Sequence, residues 1–183
     1  MDQPNYQIED FIGVFPDAVN PKFCDFLVDY IDQSSYVSGR NYTHVKDKQI
    51  CLDAFSPGES KNLMEFVNGC LYYYINEISY LTNFNFISAV VLLQKTEPTQ
   101  GYHMFHGEDI NWNLQNRTMA WMVYLNDVEE GGETNFVGIN KKLKPKRGRG
   151  MIFPPLWMVP HQGKPTISED KYIFSTYLNY IDL

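Results

Sequence analysis

Phe86-Ile87-Ser88-Ala89-Val90-Val91-Leu92-Leu93 is the stretch where the chain changes period. Before it, apolar residues recur every three or four positions. Here they form a short, continuous, partly β-branched run, which is a strand pattern. Similar runs follow at 119–125, 134–137, 151–153 and 171–178. Clusters of Gly, Pro and Asn at 98–101, 126–127, 131–132, 145–150 and 160–165 separate them. Several short strands between such loops predict a double antiparallel sheet of the sandwich or jelly-roll kind.

Upstream lie two helical patterns. Asn20-Pro21 is a start signal, with Asn20 as cap and Pro21 in the first turn. Phe23, Phe26, Leu27, Tyr30 and Ile31 then follow at helical spacing. Ser56-Pro57-Gly58-Glu59 reads as a capping box. Leu63, Val67, Leu71, Tyr74, Ile78 and Leu81 continue it, so a helix is expected from near 58 to about 81, with one apolar face on a sheet. The expected architecture is mainly β with flanking α in one domain over 1–183. Residues 1–84 form an N-terminal helical support, and 85–183 form a double-stranded β-helix (jelly roll) core.

Composition narrows the classes. The 183 residues are 44% apolar and 20% charged, ordinary for a globular chain, with 15% aromatics. A formal net charge of -7 makes a nucleic-acid partner or an anionic membrane surface unexpected. No stretch approaches the ~20 apolar residues of a membrane span. The opening Met-Asp-Gln-Pro-Asn carries no secretory signature, and Cys24, Cys51 and Cys70 are odd in number and far apart. Neither a disulfide framework nor a thiolate metal site is expected, and the expected location is cytoplasmic, the host cytoplasm for a phage-encoded chain.

The chemistry concentrates in Gly101-Tyr102-His103-Met104-Phe105-His106-Gly107-Glu108-Asp109. In an extended segment, His106 and Glu108 point to one face. A distant histidine would complete a facial triad of two imidazoles and a carboxylate, which leaves three positions open on an octahedral Fe(II). His161, in Val159-Pro160-His161-Gln162-Gly163, is the candidate. Asp109 is a rival carboxylate that would face the opposite way, and His103 should face away from His106. His44 has no motif around it. Lys171 opens the apolar run Tyr172-Ile173-Phe174-Ser175-Thr176-Tyr177-Leu178. Pointing inward, its ammonium would need an anion, which a bound dicarboxylate would supply. At the strand edge it would simply face water.

His106-x-Glu108, Arg117-Thr118, Tyr124-Leu125-Asn126-Asp127-Val128-x-x-Gly131-Gly132-Glu133-Thr134-x-Phe136, Pro145-Lys146-x-Gly148, Phe153-Pro154, His161-x-Gly163-x-Pro165 and Lys171-Tyr172-Ile173 occur in this order. Together they resemble the Fe(II)/2-oxoglutarate-dependent dioxygenase superfamily, in its prolyl 4-hydroxylase-like branch, and its small bacterial or phage-type members in particular. The resemblance covers roughly the last half of the chain, and residues 11–31 are similar to the branch's helical lead-in. It implies that His106, Glu108 and His161 bind Fe(II) and that Lys171 pairs with the distal carboxylate of 2-oxoglutarate. Tyr124 would donate its hydroxyl to that same carboxylate. Tyr102, His103, Arg117, Thr118, Trp121 and Ser175 are implied as pocket or substrate residues. Glu108 departs from the more usual aspartate, although a retained carboxylate argues against a halogenase.

The implied activity is hydroxylation with O2 and 2-oxoglutarate, with ascorbate as an accompanying reductant, on a peptidyl proline of a protein or peptide partner. A free amino acid hydroxylase is the alternative within the superfamily, and a non-catalytic jelly-roll binding module or a zinc hydrolase the alternative outside it. Tyr102, Phe105, Trp112, Trp121, Phe136 and Trp157 are candidate pocket aromatics, and the loop over 108–116 is a candidate entrance. Six basic residues between Lys141 and Arg149 form either a solvated hairpin or a patch for an acidic partner. Nothing in the sequence speaks to oligomeric state.

Overall fold

A computed structural model describes residues 4–108 and 117–181. Asp109, Trp112 and all but the first residue of the candidate entrance loop lie outside the described residues.

The N-terminal half opens with strands β1 (Gln7–Glu9) and β2 (Ile12–Phe15), then helix α1 (Pro21–Gln33). Strands β3 (Ser38–Asn41) and β4 (Val45–Cys51), a short helix α2 (Leu52–Phe55) and helix α3 (Pro57–Glu77) follow. A single 3-10 segment (Ser79–Asn83) leads into β5 (Asn85–Thr96) and β6 (Gly101–His106). The remaining strands are β7 (Arg117–Tyr124), β8 (Thr134–Phe136), β9 (Lys141–Leu143), β10 (Gly150–Phe153), β11 (His161–Gly163) and β12 (Lys171–Ile181).

Among the described residues these strands pair antiparallel along one path, β1-β2-β10-β7-β12-β5-β4-β6-β11-β8-β9, with β3 on β4. The path curls until side chains from both of its arms line one interior cavity. Strand alternation separates the two faces. On β12, Lys171, Ile173, Ser175 and Tyr177 face the cavity, while Tyr172, Phe174 and Leu178 face the helices. Cys24, Leu27 and Ile31 of α1 and Leu63, Val67 and Tyr74 of α3 pack on that outer face against Leu93, Trp121 and Phe174. Both faces are covered along most of β7 and β12 and in the second half of β5, from Val91 onward, whereas Ile87 and Ala89 at the start of β5 are exposed.

Asn20 caps α1 as expected, its Oδ1 accepting from the Phe23 N–H at 2.9 Å. Ser56 makes no side-chain cap. Its backbone N–H instead donates to the Leu52 carbonyl at 2.7 Å, because Ser56 also closes α2. Helix α3 stops at Glu77, where Ile78 leaves helical geometry (φ -105, ψ 73) and the 3-10 segment takes over.

The picture of residues 1–84 as helical support needs a correction, since they also supply β1 to β4. Strand β4 joins the two arms of the sheet, pairing with β5 on one side and β6 on the other. Val-Lys-Asp-Lys-Gln-Ile-Cys does not alternate apolar with polar, because Asp47 and Gln49 face a polar cavity. The basic segment is likewise only partly loop, since Lys141–Leu143 pairs with β8. Three of its six charges have acidic partners: Lys141 with Glu9, Lys146 with Asp127 and Arg147 with Asp25.

The three cysteines are free. Burial pushes Cys24 up to about 11 and Cys70 up to about 12, so both are inert thiols near neutral pH. No described helix is long and apolar enough to cross a membrane.

Candidate active site

Pairing between β6 and β11 puts His106 directly opposite His161. Glu108 follows His106 by two residues, and its backbone N–H donates to the Pro155 carbonyl at 2.7 Å, tying it to the loop before β11. One ligating atom from each of His106, Glu108 and His161 lies within 4.8 Å of the other two. His106 Nε2 is 3.7 Å from Glu108 Oε1. The His106 Nδ1 lies 3.0 Å from the Met104 carbonyl, to which it can only donate, so its proton sits there and the Nε2 lone pair is free for a metal. The ring also stacks on Tyr102, with centroids 3.6 Å apart.

His161 is buried, with Phe153 edge-on at 4.8 Å. Burial first, and then the neighbouring His106, push it down to about 3. Burial also lowers His106. Both imidazoles are therefore neutral at physiological pH, the form that ligates metals. The His161 Nδ1 is buried without a hydrogen-bond partner. Two neutral imidazoles and a carboxylate converging in this way fit a divalent cation better than they fit one another.

Lys171 fits an anion by the same test. Its side chain is 5% exposed, and its ammonium has the Gly132 carbonyl at 3.2 Å as partner. Among the described residues no carboxylate lies within ion-pair distance of it. Burial pushes it down to about 8, against the pull of Glu133 and Asp47. A buried cation without a counter-ion suits a dicarboxylate. The strand-edge alternative, with Lys171 in water, is not what the fold adopts.

The cavity that these groups share measures about 390 Å³. Tyr102, Arg117 and Ser175 line it, and Ser175 Oγ lies 2.8 Å from Gln94 Oε1. Trp121 borders it, but its ring packs into the helix-side core 5.7 Å from Phe15. His103 and Thr118 do not line it. The His103 N–H donates to the His44 carbonyl, and its own carbonyl accepts from Gln162.

Tyr124 is placed differently from the expectation. It is fully buried and off the cavity wall. Its hydroxyl donates to the Leu143 carbonyl at 2.9 Å and lies 2.7 Å from the hydroxyl of Thr134. Thr134 is the residue that lines the cavity, with Tyr124 buttressing it from behind. Of the other aromatics, Phe136 is buried with its ring 6.0 Å from His161. Phe105 and Trp157 are exposed.

Several site residues carried no local signal. Arg40 and Asp47, paired through Nε–Oδ1 at 2.8 Å, come from β3 and β4. Gln94 directly follows the apolar run 86–93, and Tyr177 sits inside a run that reads as plain strand. Tyr177 donates to Glu108 Oε1 at 3.0 Å, and Arg117 pairs with Glu108 Oε2. A period-two reading of β5 and β12 through Lys171 would have pointed to both Gln94 and Tyr177.

Comparison with known proteins places this geometry. Residues 90–179 match the model of the 2OG-Fe(II) oxygenase superfamily. No curated protein matches the chain. The fold is similar to the viral collagen prolyl hydroxylase of Paramecium Bursaria Chlorella virus-1 in complex with 2OG, at TM-score 0.72 and 22% identity over 94% of this chain and 97% of that one. It is also similar to a Pseudomonas putida prolyl-4-hydroxylase, at TM-score 0.76 and 14% identity over 94% of each chain. A third likeness is a Trichoplax adhaerens prolyl hydroxylase in complex with a hypoxia inducible factor oxygen degradation domain peptide fragment. There the TM-score is 0.72 and identity 16%, over 93% of this chain and 84% of that one. The segment matched by the superfamily model is the one that carries both histidines, Glu108 and the buried lysine, and the match and the site together make this a 2-oxoglutarate-dependent dioxygenase, an enzyme that uses Fe(II), O2 and 2-oxoglutarate.

Proposed function

We propose that this oxygenase hydroxylates a prolyl residue within a peptide, with His106, Glu108 and His161 holding Fe(II) and Lys171 anchoring 2-oxoglutarate. One observation carries the reading: the His-Glu-His cluster and the unpaired buried lysine open on the same cavity. The likeness of the fold to three prolyl hydroxylases, one of them bound to a peptide, supports the choice of substrate.

The iron and 2-oxoglutarate supply the oxidising chemistry, in which O2 is consumed, 2-oxoglutarate becomes succinate and carbon dioxide, and a C–H becomes C–OH. The protein supplies the geometry. His106 and His161 stay neutral because they are buried, and they present lone pairs from two paired strands. Lys171 meets the distal carboxylate of the cosubstrate, which offsets the desolvation of both charges. Thr134, backed by Tyr124, walls that end. Tyr102 and Ile173 give the cavity an apolar side that suits a pyrrolidine ring. Phe136 and Phe153 close over the buried side of His161 and keep water from it.

The test is mass spectrometry of a proline-rich peptide library incubated with the protein, Fe(II), 2-oxoglutarate and ascorbate. Peptides heavier by one oxygen atom, with matching succinate, are expected, and His161→Ala should abolish both. Product on free amino acids and none on peptides would replace the peptide reading with a small-molecule one.

A further inference from the structure

Glu108 sits just past the end of β6, where the strand ladder no longer orders its side chain. A glutamate has one more rotatable bond than an aspartate, so an unsupported Glu108 would spread its carboxylate over several positions. Two side chains remove that freedom. Tyr177 donates its hydroxyl to Oε1 at 3.0 Å, and Arg117 pairs with Oε2. The guanidinium carbon of Arg117 in turn lies 3.6 Å from the Tyr177 ring centroid, so the two supports brace each other. Both stand on paired strands of the main sheet: Arg117 opposes Asn179 and Tyr177 opposes Ala120 across β7 and β12. Glu108 and Arg117 are well shielded, with side chains 12% and 18% exposed.

We propose that Tyr177 and Arg117 form a clamp that fixes Glu108 so that Oε1 is presented to the metal beside His106. The proposal rests on the metal reading above. The lone-pair count is consistent with it. Each carboxylate oxygen has two acceptor positions, so Oε1 can accept from Tyr177 and still ligate a cation, while Oε2 keeps Arg117. Oε1 is also the oxygen nearer the shared site, 3.7 Å from His106 Nε2. Tyr177 and Arg117 are thus positioning residues, acting on the metal through Glu108. The clamp is matched to a glutamate, because a carboxylate shorter by one methylene cannot reach the hydroxyl and the guanidinium together.

The experiment is titration of the apo protein with Mn(II), an oxygen-stable probe for Fe(II), with free Mn(II) read by electron paramagnetic resonance. Tyr177→Phe keeps the ring and should weaken Mn(II) binding about 10-fold, the usual loss when a ligand's outer partner is removed. The melting temperature of the apo protein should fall by a few degrees, as for any buried hydrogen bond to a charged group, so the titration is read well below it. Arg117→Lys keeps the charge but not the flat, stacked geometry, and should weaken binding similarly. In the Glu108→Asp background, adding Tyr177→Phe should change affinity less than about twofold, since the bond is already lost. Wild-type affinity in Tyr177→Phe, or equal losses in both backgrounds, would overturn the clamp while leaving the metal site standing. No Mn(II) binding by the wild type, or full binding by His161→Ala, would overturn the metal reading and the clamp with it.

Discussion

Replacing Lys171 by methionine removes a charge that the folded apo protein carries at a cost. Lys171 is 5% exposed, and a carbonyl is the partner of its ammonium. Its ordinary value of 10.5 is pushed down to about 8 by burial. At 1.36 kcal/mol per pH unit, the charged form costs the fold about 3 kcal/mol. The sign follows from proton binding. Between about pH 8 and 10.5 the unfolded chain holds this proton more readily than the folded one, so wild-type stability rises with pH through that window. Below pH 8 the cost is present in full. Methionine fills similar space without the charge, so Lys171→Met should melt higher than wild type at pH 7, by as much as about 6–12 °C for a chain of this size. The gap should shrink as pH rises through 8 toward 10.5. Addition of 2-oxoglutarate should reverse the order, raising the wild-type melting temperature and leaving the variant unmoved. Differential scanning fluorimetry across pH 6–10, with and without the cosubstrate, reads all of this. A variant that melts no higher than wild type at pH 7, follows a parallel pH curve, or retains the 2-oxoglutarate shift would refute the account of Lys171 as a buried cation awaiting an anion.

Two other substitutions probe the walls of the site. Tyr124→Phe should destabilise the fold by about 1–3 kcal/mol by orphaning the Leu143 carbonyl, measured by urea titration. Its effect on 2-oxoglutarate affinity should be far smaller than that of Lys171→Met, and an equal effect would show that the hydroxyl reaches the cosubstrate after all. Gly131→Ala should cost at least about 1–3 kcal/mol in the same assay. Gly131 has φ +78, and a Cβ there would lie 2.3 Å from the Pro165 carbonyl oxygen, so an unchanged midpoint would contradict the loop geometry.

The strand-rich second half was legible because β7, β12 and the second half of β5 are covered on both faces, which makes long apolar runs. Helix α1 was legible because its cap is local, since Asn20 needs only the N–H three residues on. Spacing pairs His106 with Glu108 on the expectation of an extended segment, but the strand ends at His106, and Tyr177 and Arg117 hold the Glu108 carboxylate at the site. The motif order then supplied His161 and Lys171. The polar strand β4 escaped notice because its inward residues, Asp47 and Gln49, face a polar cavity, and hydrophobic alternation cannot reveal a strand whose buried side is hydrophilic.

Residue types and their order along the chain were thus enough to specify a double-sheet fold and the chemical groups of an Fe(II)- and 2-oxoglutarate-using site. They did not specify which groups touch. Local spacing reaches only a few residues, whereas the register of β6 on β11 sets His106 against His161, and the pairing of β7 with β12 brings Arg117 and Tyr177 to Glu108. Tyr124 shows the difference most sharply. Its place in the motif made it a cosubstrate contact, and packing turned its hydroxyl to Thr134 and Leu143, because a fully buried phenol must satisfy itself with the nearest partners the fold provides.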